Sequence, residues 1–384
     1  MKLTKKIIAL TSIALLAGLV FAVDYTKWKF KGADGTTVEI ELPSDLDGII
    51  NDNYSDIQNA ITDNGVNATD ISTAATEVKN HYDTLTDSGF TYSSLSTGLN
   101  DFCDALADSI PNSQSLQNVW AESWIGHIFP GLHFGVGLNA GVSSLDVTAL
   151  KDAAVSMGLD GTSDIPETLV FPTLAGDLRV GGFILPFDVG FSFMSLSPFE
   201  SLIDSALGDA PVNFSYFSIG GDIRYCLFKT GFGPLNVKIS GMGGIYYTSG
   251  DLNLEDDSSK SSASMDFSAT TFYLGAQASA KLLVLVPYLG ARVMFTSSEI
   301  NWEVTPDWNE LLGSSATGAT ETALLALMPK KFGGGSENGF FDHIRPQVYG
   351  GIGFDLFVLN ITAVGSYDFV SNVFGAGLNL RLAW

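Results

Sequence analysis

Twelve charged side chains are the residues of this chain best suited to bind a charged solute. Guanidinium and ammonium groups bind carboxylates and phosphates, and a cavity with a slight basic excess favours anions or carboxylate headgroups. The same groups could instead pair with one another and fill an interior, which is a structural role. The cations are Arg179, Arg224, Lys238, Lys281, Arg292, Arg345 and Arg381, and the acids are Asp177, Asp188, Asp222, Asp355 and Asp368.

Residues that could catalyse a reaction or bind a metal are few. The chain has four histidines and two cysteines, and they form no cluster with the spacing of a metal site. The acidic run at 251–257 could take calcium, but such runs are more often solvated loops. We therefore expect no enzymatic activity, no cofactor and no metal site.

The composition excludes several classes of protein. The 384 residues are 46% hydrophobic and only 16% charged, which excludes a disordered acidic protein. Acidic residues outnumber basic ones by 42 to 19, which argues against a nucleic-acid partner.

The first 22 residues have the pattern of a signal peptide. Lys2, Lys5 and Lys6 precede an apolar stretch at 7–21, and Val20 and Ala22 are small enough for a cleavage site. An N-terminal membrane anchor is the alternative, although the stretch is short for a span. We predict export, with residues 1–22 removed.

The last residues alternate strictly between apolar and small or polar side chains. One side of an extended strand would carry Phe374, Ala376, Leu378, Leu380, Leu382 and Trp384. A final strand that alternates and ends in an aromatic residue resembles the terminal signal of bacterial outer-membrane β-barrels. The resemblance implies that Phe374, Leu378, Leu380, Leu382 and Trp384 are read by the barrel-assembly machinery, and that the protein lies in outer-membrane lipid.

The same alternation recurs through residues 131–384. It predicts an all-β, transmembrane, antiparallel up-and-down barrel of about ten strands, within a range of eight to twelve, whose lumen face carries the twelve charged residues named above. Short connections are expected on the periplasmic side and long ones outside, at 144–173, 197–212, 249–266 and 298–343. The ninth connection, at 370–373, is an exception because it is short. A soluble β-sandwich is the alternative fold, but it does not predict this phase of long and short connections.

Residues 23–125 differ from the rest of the chain. Asp34-Gly35 between a lysine-rich and a glutamate-rich run predicts a hairpin, and apolar residues at helical spacing follow it. We expect either a periplasmic helical module or a plug that docks in or beneath the barrel, because 17 acids against four lysines complement a basic lumen. Cys103 and Cys226 could form a disulfide after export, and the sequence leaves this open.

Two functions fit this architecture. The favoured one is a passive channel for small or amphipathic solutes. It is loosely similar to long-chain fatty-acid transporter barrels, which also have an N-terminal segment, but their N-terminal Asn-Pro-Ala signature is missing here. The alternative is a non-conducting barrel or adhesin whose long external loops, above all 298–343, bind a host or cell-surface ligand. Asp342-His343 is faintly similar to an outer-membrane protease, and we expect no such activity.

Overall fold

Alternating apolar and polar residues produce strands, and thirteen of them occur in the part of the chain that the computed structural model describes. That part comprises 25–86, 92–125, 133–149, 151, 167–182, 186–195, 212–232, 235–255, 262–305, 319–327 and 331–384; the predicted signal peptide lies outside it. The strands are β1 (Tyr25–Lys31), β2 (Thr37–Pro43), β3 (His133–Asp146), β4 (Thr168–Gly181), β5 (Phe187–Ser195), β6 (Val212–Phe232), β7 (Leu235–Glu255), β8 (Ser262–Leu282), β9 (Leu285–Thr305), β10 (Phe332–Asn338), β11 (Ile344–Leu356), β12 (Leu359–Asp368) and β13 (Phe374–Ala383). The helices are α1 (Asp47–Asp63), α2 (Ala68–Thr86), α3 (Tyr92–Leu116) and α4 (Ala319–Leu327).

Ten of the strands close into a barrel. Each pairs antiparallel with its neighbours in the order β3, β4, β5, β6, β7, β8, β9, β11, β12 and β13, and β13 pairs back onto β3. Asn379 faces Asn139 across this closing seam. The predicted antiparallel up-and-down barrel of about ten strands is therefore confirmed, and so are the N-terminal hairpin and helices.

The barrel has two different mouths. At one mouth β8 joins β9 through Leu283 and Val284, and β11 joins β12 through Phe357 and Val358. Longer connections lie at the opposite mouth, where β9 leads to α4 and then to β10. We call these the short-turn mouth and the long-connection mouth.

Strands β10 and β11 lie end to end along the same edge of β9. The lower half of β9 pairs with β11 and the upper half of β9 pairs with β10, and the chain leaves the wall between the two. The excursion between them places the ring of Phe340 5.2 Å from that of Phe272, and the ring of Phe341 6.0 Å from that of Phe295. Asp342 and His343 lie in this exposed excursion, outside the lumen.

The outer surface of the lower barrel is apolar all the way round. Its outward positions alternate with the buried lumen positions, as the sequence pattern requires. The exposed apolar residues include Leu138, Leu178, Phe191, Ile223, Ile245, Leu274, Leu289, Ile352 and Leu378. Within the described residues, no helix is both long enough and apolar enough to cross a bilayer.

Above this apolar band the polarity of the wall reverses: its outward face becomes polar and its inward face becomes apolar. On β9 the outward residues change from Leu289 and Val293 to Glu299 and Glu303, while Trp302 among the inward residues is buried. The connections predicted at 249–266 and 298–343 are therefore shorter than expected. β7 continues as a strand to Glu255, β8 begins at Ser262, and β9 continues to Thr305. A membrane-crossing strand needs about 9–11 residues, so strands of 21 residues extend well beyond the band.

The upper barrel encloses an apolar core around α3. One face of the helix contributes Leu99, Cys103, Leu106 and Ile110, and the wall contributes Met194, Phe267, Ile300 and Trp302, among others. Trp302 also donates a hydrogen bond to Asn100 (Nε1–Oδ1 2.8 Å). This part of the molecule is therefore built like a water-soluble domain, with apolar residues inside.

Residues 25–86 form a small unit that we call the N-terminal module. The β1–β2 hairpin turns at Gly35, whose φ of +82° suits glycine, and packs with α1 and α2 around Phe30, Ile40 and Ile61. Lys79 donates a hydrogen bond to Glu41 (Nζ–Oε2 3.0 Å), which holds the pKa of that carboxyl below its usual value. Ala323, Ala326 and Leu327 of α4 complete the core of the module.

The module therefore lies at the long-connection mouth, because α4 belongs to the connection between β9 and β10. The short-turn mouth is on the opposite side of the barrel. Residues 92–125, the described part of the chain between the module and β3, lie inside the barrel.

Candidate functional site: the occupied lumen

Residues 108–125, which we call the plug, fill the lumen. Every residue from Ser109 to Ile125 except Glu122 is buried. The segment begins as the last turns of α3 and continues without regular structure after Leu116. Its polar composition suits this place, because the inside of a membrane barrel is lined by polar side chains.

The plug descends from one mouth to the other, and its contacts mark the path. Near the long-connection mouth the hydroxyl of Ser109 donates to the carbonyl oxygen of Ser144. Lower down, Gln114 donates to Thr248 (Nε2–Oγ1 2.7 Å). At the short-turn mouth the backbone N–H of Ile125 donates to Asp188 (N–Oδ2 2.8 Å).

At mid-height the plug reaches opposite walls of the barrel. Asn139 on β3 donates to the carbonyl oxygen of Gln117 (2.6 Å), and Gln277 on β8 donates to the carbonyl oxygen of Trp120 (2.7 Å). β3 and β8 face one another across the ring, five strands apart. The plug therefore bridges the full width of the lumen at this level.

Arg179 is the centre of a buried ionic cluster. Its Nη1 lies 2.5 Å from Oδ1 of Asp188, and its Nη2 lies 2.6 and 2.7 Å from the two carboxylate oxygens of Asp222. Arg224 binds Asp188 through Nε and Nη2, both at 2.8 Å. Asn118 of the plug donates to Asp222 (3.0 Å), so the plug takes part in the cluster.

A second buried cluster surrounds Asp177. Nε of Arg381 lies 2.9 Å from Oδ2 of Asp177, and the indole N–H of Trp120 donates to the same oxygen at 2.6 Å. The guanidinium of Arg381 also stacks over the Trp120 ring, 4.5 Å from its centroid. A plug residue is thus held by both members of a wall ion pair.

Carboxylates of the plug pair with wall cations at both mouths. Glu122 pairs with Lys238 and with Lys281, whose Nζ lies 3.2 Å from Oε1. At the other mouth Asp108 lies 2.5 Å from Nη2 of Arg345. These pairs fasten the two ends of the plug.

The structure places all twelve predicted charged residues on the lumen side. Ten are buried, and Lys281 and Asp355, which pair with each other, are half-buried at the short-turn mouth. Asp368 accepts the backbone N–H of Val370 (2.8 Å), and Arg292 binds Gln347 and stacks on Tyr349 at 4.5 Å.

The plug neutralises the lumen. The seven wall cations exceed the five wall carboxylates by two, and Glu122 and Asp108 supply two further carboxylates. Burying an unbalanced charge is expensive, whereas a paired and hydrogen-bonded one is tolerated. The basic excess inferred from the sequence is therefore met by residues of the same chain.

The predicted assembly residues form part of the outer face of the last strand. Phe374, Leu378, Leu380, Leu382 and Trp384 are exposed. Trp384 and Phe134 exchange backbone hydrogen bonds of 2.9 and 3.0 Å, and their rings stack at 6.3 Å. Recognition by the assembly machinery stays a prediction.

The two cysteines are not bonded to each other. Cys103 is buried in the core around α3, in the upper barrel. Cys226 is buried near the short-turn mouth, where its backbone N–H donates to the carbonyl oxygen of Pro186, so the two cysteines lie at different heights of the barrel.

Close contact between wall and plug can be tested at Gly135. A Cβ atom at this position would overlap the indole ring of Trp120, whereas one at Gly176 on the neighbouring strand would have no atom nearer than 3.9 Å. We expect Gly135→Ala to lower the free energy of unfolding by about 1–3 kcal/mol and Gly176→Ala to leave it nearly unchanged. Urea titration of the barrel in lipid vesicles, followed by tryptophan fluorescence, measures both. Equal effects would contradict the tight fit.

The chain matches no protein-family model and no curated protein. Among solved structures it is similar to the translocator domain of the autotransporter NalP from Neisseria meningitidis, with 11% identity, a TM-score of 0.34, and coverage of 75% of this chain and 99% of that one. It is also similar to the outer membrane protease OmpT from Escherichia coli (9% identity, TM-score 0.32, 66% and 96% covered). A third is Ail, the attachment invasion locus protein of Yersinia pestis (9% identity, TM-score 0.24, 67% and 100% covered). The architecture given above rests on the strand pairing of this chain itself.

Proposed function

We propose that this chain is an outer-membrane barrel that its own plug keeps closed, and that it holds the N-terminal module on the external side. The observation that carries the proposal is the plug, which crosses the lumen from mouth to mouth and bridges opposite walls at mid-height. This is the non-conducting alternative of the two functions considered from the sequence. A passive channel would need this segment to leave.

A bilayer location is supported by the surface of the wall. Transfer of an apolar surface from water is favourable by about 25 cal/mol per Å², and a continuous ring of exposed apolar side chains would be costly in water. A closed ring also leaves no unpaired strand edge in lipid. Short turns on the periplasmic side then place the module outside.

The module supports a role in surface display. Its own apolar core is buried, and its exposed face is polar, with both lysine and glutamate rows on the hairpin. A binding or adhesive role at the cell surface follows more readily from this arrangement than solute transport does. The ligand would be a host or cell-surface molecule that contacts the module or the long connections.

Conductance across planar bilayers tests the closed lumen. We expect the full-length protein to show no steady current. In the Glu122→Lys variant, a lysine would face Lys238 and Lys281, and repulsion of like charges should free the lower end of the plug and give resolvable openings. Glu299→Lys makes the same change of charge on the exposed wall, and it should leave the lumen closed. A steady current through the unaltered protein would contradict the proposal and restore the passive channel.

A further inference from the structure

We infer that the barrel is the route by which its own N-terminal module crosses the membrane: residues 25–86 pass unfolded through the lumen, and the plug stays behind as the seal. This inference rests on the proposed function for the direction of the barrel in the membrane. It adds an activity, the transfer of a segment of the same polypeptide.

The first step is the place where the chain enters the barrel wall. Ile125 ends the plug at Asp188 and close to Gly181, and Gly181 pairs with His133, the first residue of β3. The last described plug residue and the first barrel strand therefore meet at the short-turn mouth.

The second step is the position of the module. It packs on α4 at the long-connection mouth. Two contacts between α3 and the wall mark the path towards it: Asp104 accepts a hydrogen bond from Ser336 of β10, and Asp108 pairs with Arg345 of β11. The plug joins the two mouths through a ring whose seam is closed by β13 and β3. A segment inside a closed ring cannot leave sideways, so the module has passed through the lumen or the ring has closed around its tether.

The third step concerns size. A single helix with its side chains is about 10–12 Å across, and the plug, which is helical to Leu116, already fills the lumen. Two helices pack about 8–10 Å apart, so the folded module, with a hairpin in addition, is about twice as wide as the space. It contains no cysteine, and no disulfide holds it folded before passage.

The fourth step is what makes the transfer one-way. Ala323, Ala326 and Leu327 belong to the external connection, yet they are part of the buried core of the module. The module therefore completes its core only after it reaches the long-connection mouth. Burial of these side chains stabilises the arrived state, and the ionic pairs of Glu122 and Asp108 then fix the plug.

The experiment uses the full chain with a peptide tag in the exposed Asp34–Gly35 turn. One variant carries in addition a small disulfide-bonded domain at this turn, and its matched control carries the same domain without cysteines. Antibody binding to intact cells measures surface exposure, and heat-modifiable migration confirms a folded barrel. We expect the cysteine-free insert to be displayed, and the oxidised insert to lower display at least tenfold unless dithiothreitol is added during growth.

The outcomes separate the inference from the proposed function. Equal display of both inserts would overturn passage through the lumen and show that the ring closes around a folded module. A folded barrel whose tag alone is never reached from outside would contradict the proposed function instead. Leu327→Asp tests the anchoring step independently of any insert: it should reduce display several-fold, whereas Leu325→Asp, at an exposed position on the same helix, should not. Unchanged display of Leu327→Asp would overturn the anchoring by α4.

Discussion

Arg179→Met is expected to lower the free energy of unfolding of the barrel by about 3–5 kcal/mol, the cost of breaking a buried ion pair by removing one partner. Arg179 is 0% exposed and is the cation that binds Asp222 most closely. After its removal Asp222 would keep Asn118 and Tyr273 as hydrogen-bond donors but no adjacent cation. Asp188 would keep Arg224. Denaturant titration in lipid vesicles gives the change.

Lys331→Met is the matched control for this effect. Lys331 pairs with Glu303 at 3.0 Å, but both side chains are about half exposed to solvent or more. Exposed pairs contribute about 0–1 kcal/mol, so this change should be nearly silent. If Arg179→Met cost no more than Lys331→Met, the ionic cluster would not be the stabilising element that its geometry indicates. The double variant Arg179→Met with Asp222→Leu also removes the carboxylate left without a cation, so it should recover part of the lost free energy of unfolding.

Leu289→Arg is expected to destabilise the barrel in lipid by about 2–4 kcal/mol, the cost of an arginine on the lipid face near the bilayer midplane. Leu289 is 66% exposed and lies in the middle of the apolar band on β9. Asn301→Arg introduces the same side chain on the same face of the same strand, twelve residues higher. Because the outward face there is already polar, we expect almost no effect.

The comparison of these two variants locates the membrane boundary on β9. Equal costs would place both positions in one environment and contradict the boundary at the reversal of the wall. The same vesicle titration serves for both, and retained heat-modifiable migration identifies variants that still assemble.

Much of the barrel could be predicted because its pattern is local. Strict alternation in the last strand, such as Leu378 and Leu380 around Asn379, fixes which side chains point outward. It also indicates the charged lumen residues, because ten of the twelve lie between two outward apolar neighbours, and Asp177 and Asp222 lie between a glycine and an apolar residue. Strand number followed from counting such segments.

The upper wall could not be predicted by the same reasoning. There the alternation continues, but Ile300, Trp302 and Val304 point inward against α3, and the outward positions are acidic. Because the outward positions of this segment are acidic rather than apolar, the sequence pattern predicted a loop here instead of a membrane strand. Only the tertiary contact with a helix inside the barrel makes this segment a strand.

The plug partners of the site were missed for a related reason. Residues 109–118 are rich in Ser, Asn and Gln, a composition typical of exposed turns. In this molecule the interior is polar, and Gln114 and Gln117 are buried there in hydrogen bonds. The acidity of 23–125 was the one signal that pointed to the lumen, and it could not single out Asp108 and Glu122.

The internal pairing of the lumen has a consequence for the outside of the molecule. Seven cations and seven carboxylates cancel there, which leaves 35 acidic and nine basic residues elsewhere once the predicted signal peptide, with its three lysines, is removed. Fixed negative charge of this density gathers a diffuse layer of mobile counter-ions about 8 Å deep at physiological ionic strength. A charged partner that approaches the protein must displace these counter-ions. Added salt screens the negative charge, so binding to anionic surfaces strengthens as salt rises and binding to polycations weakens.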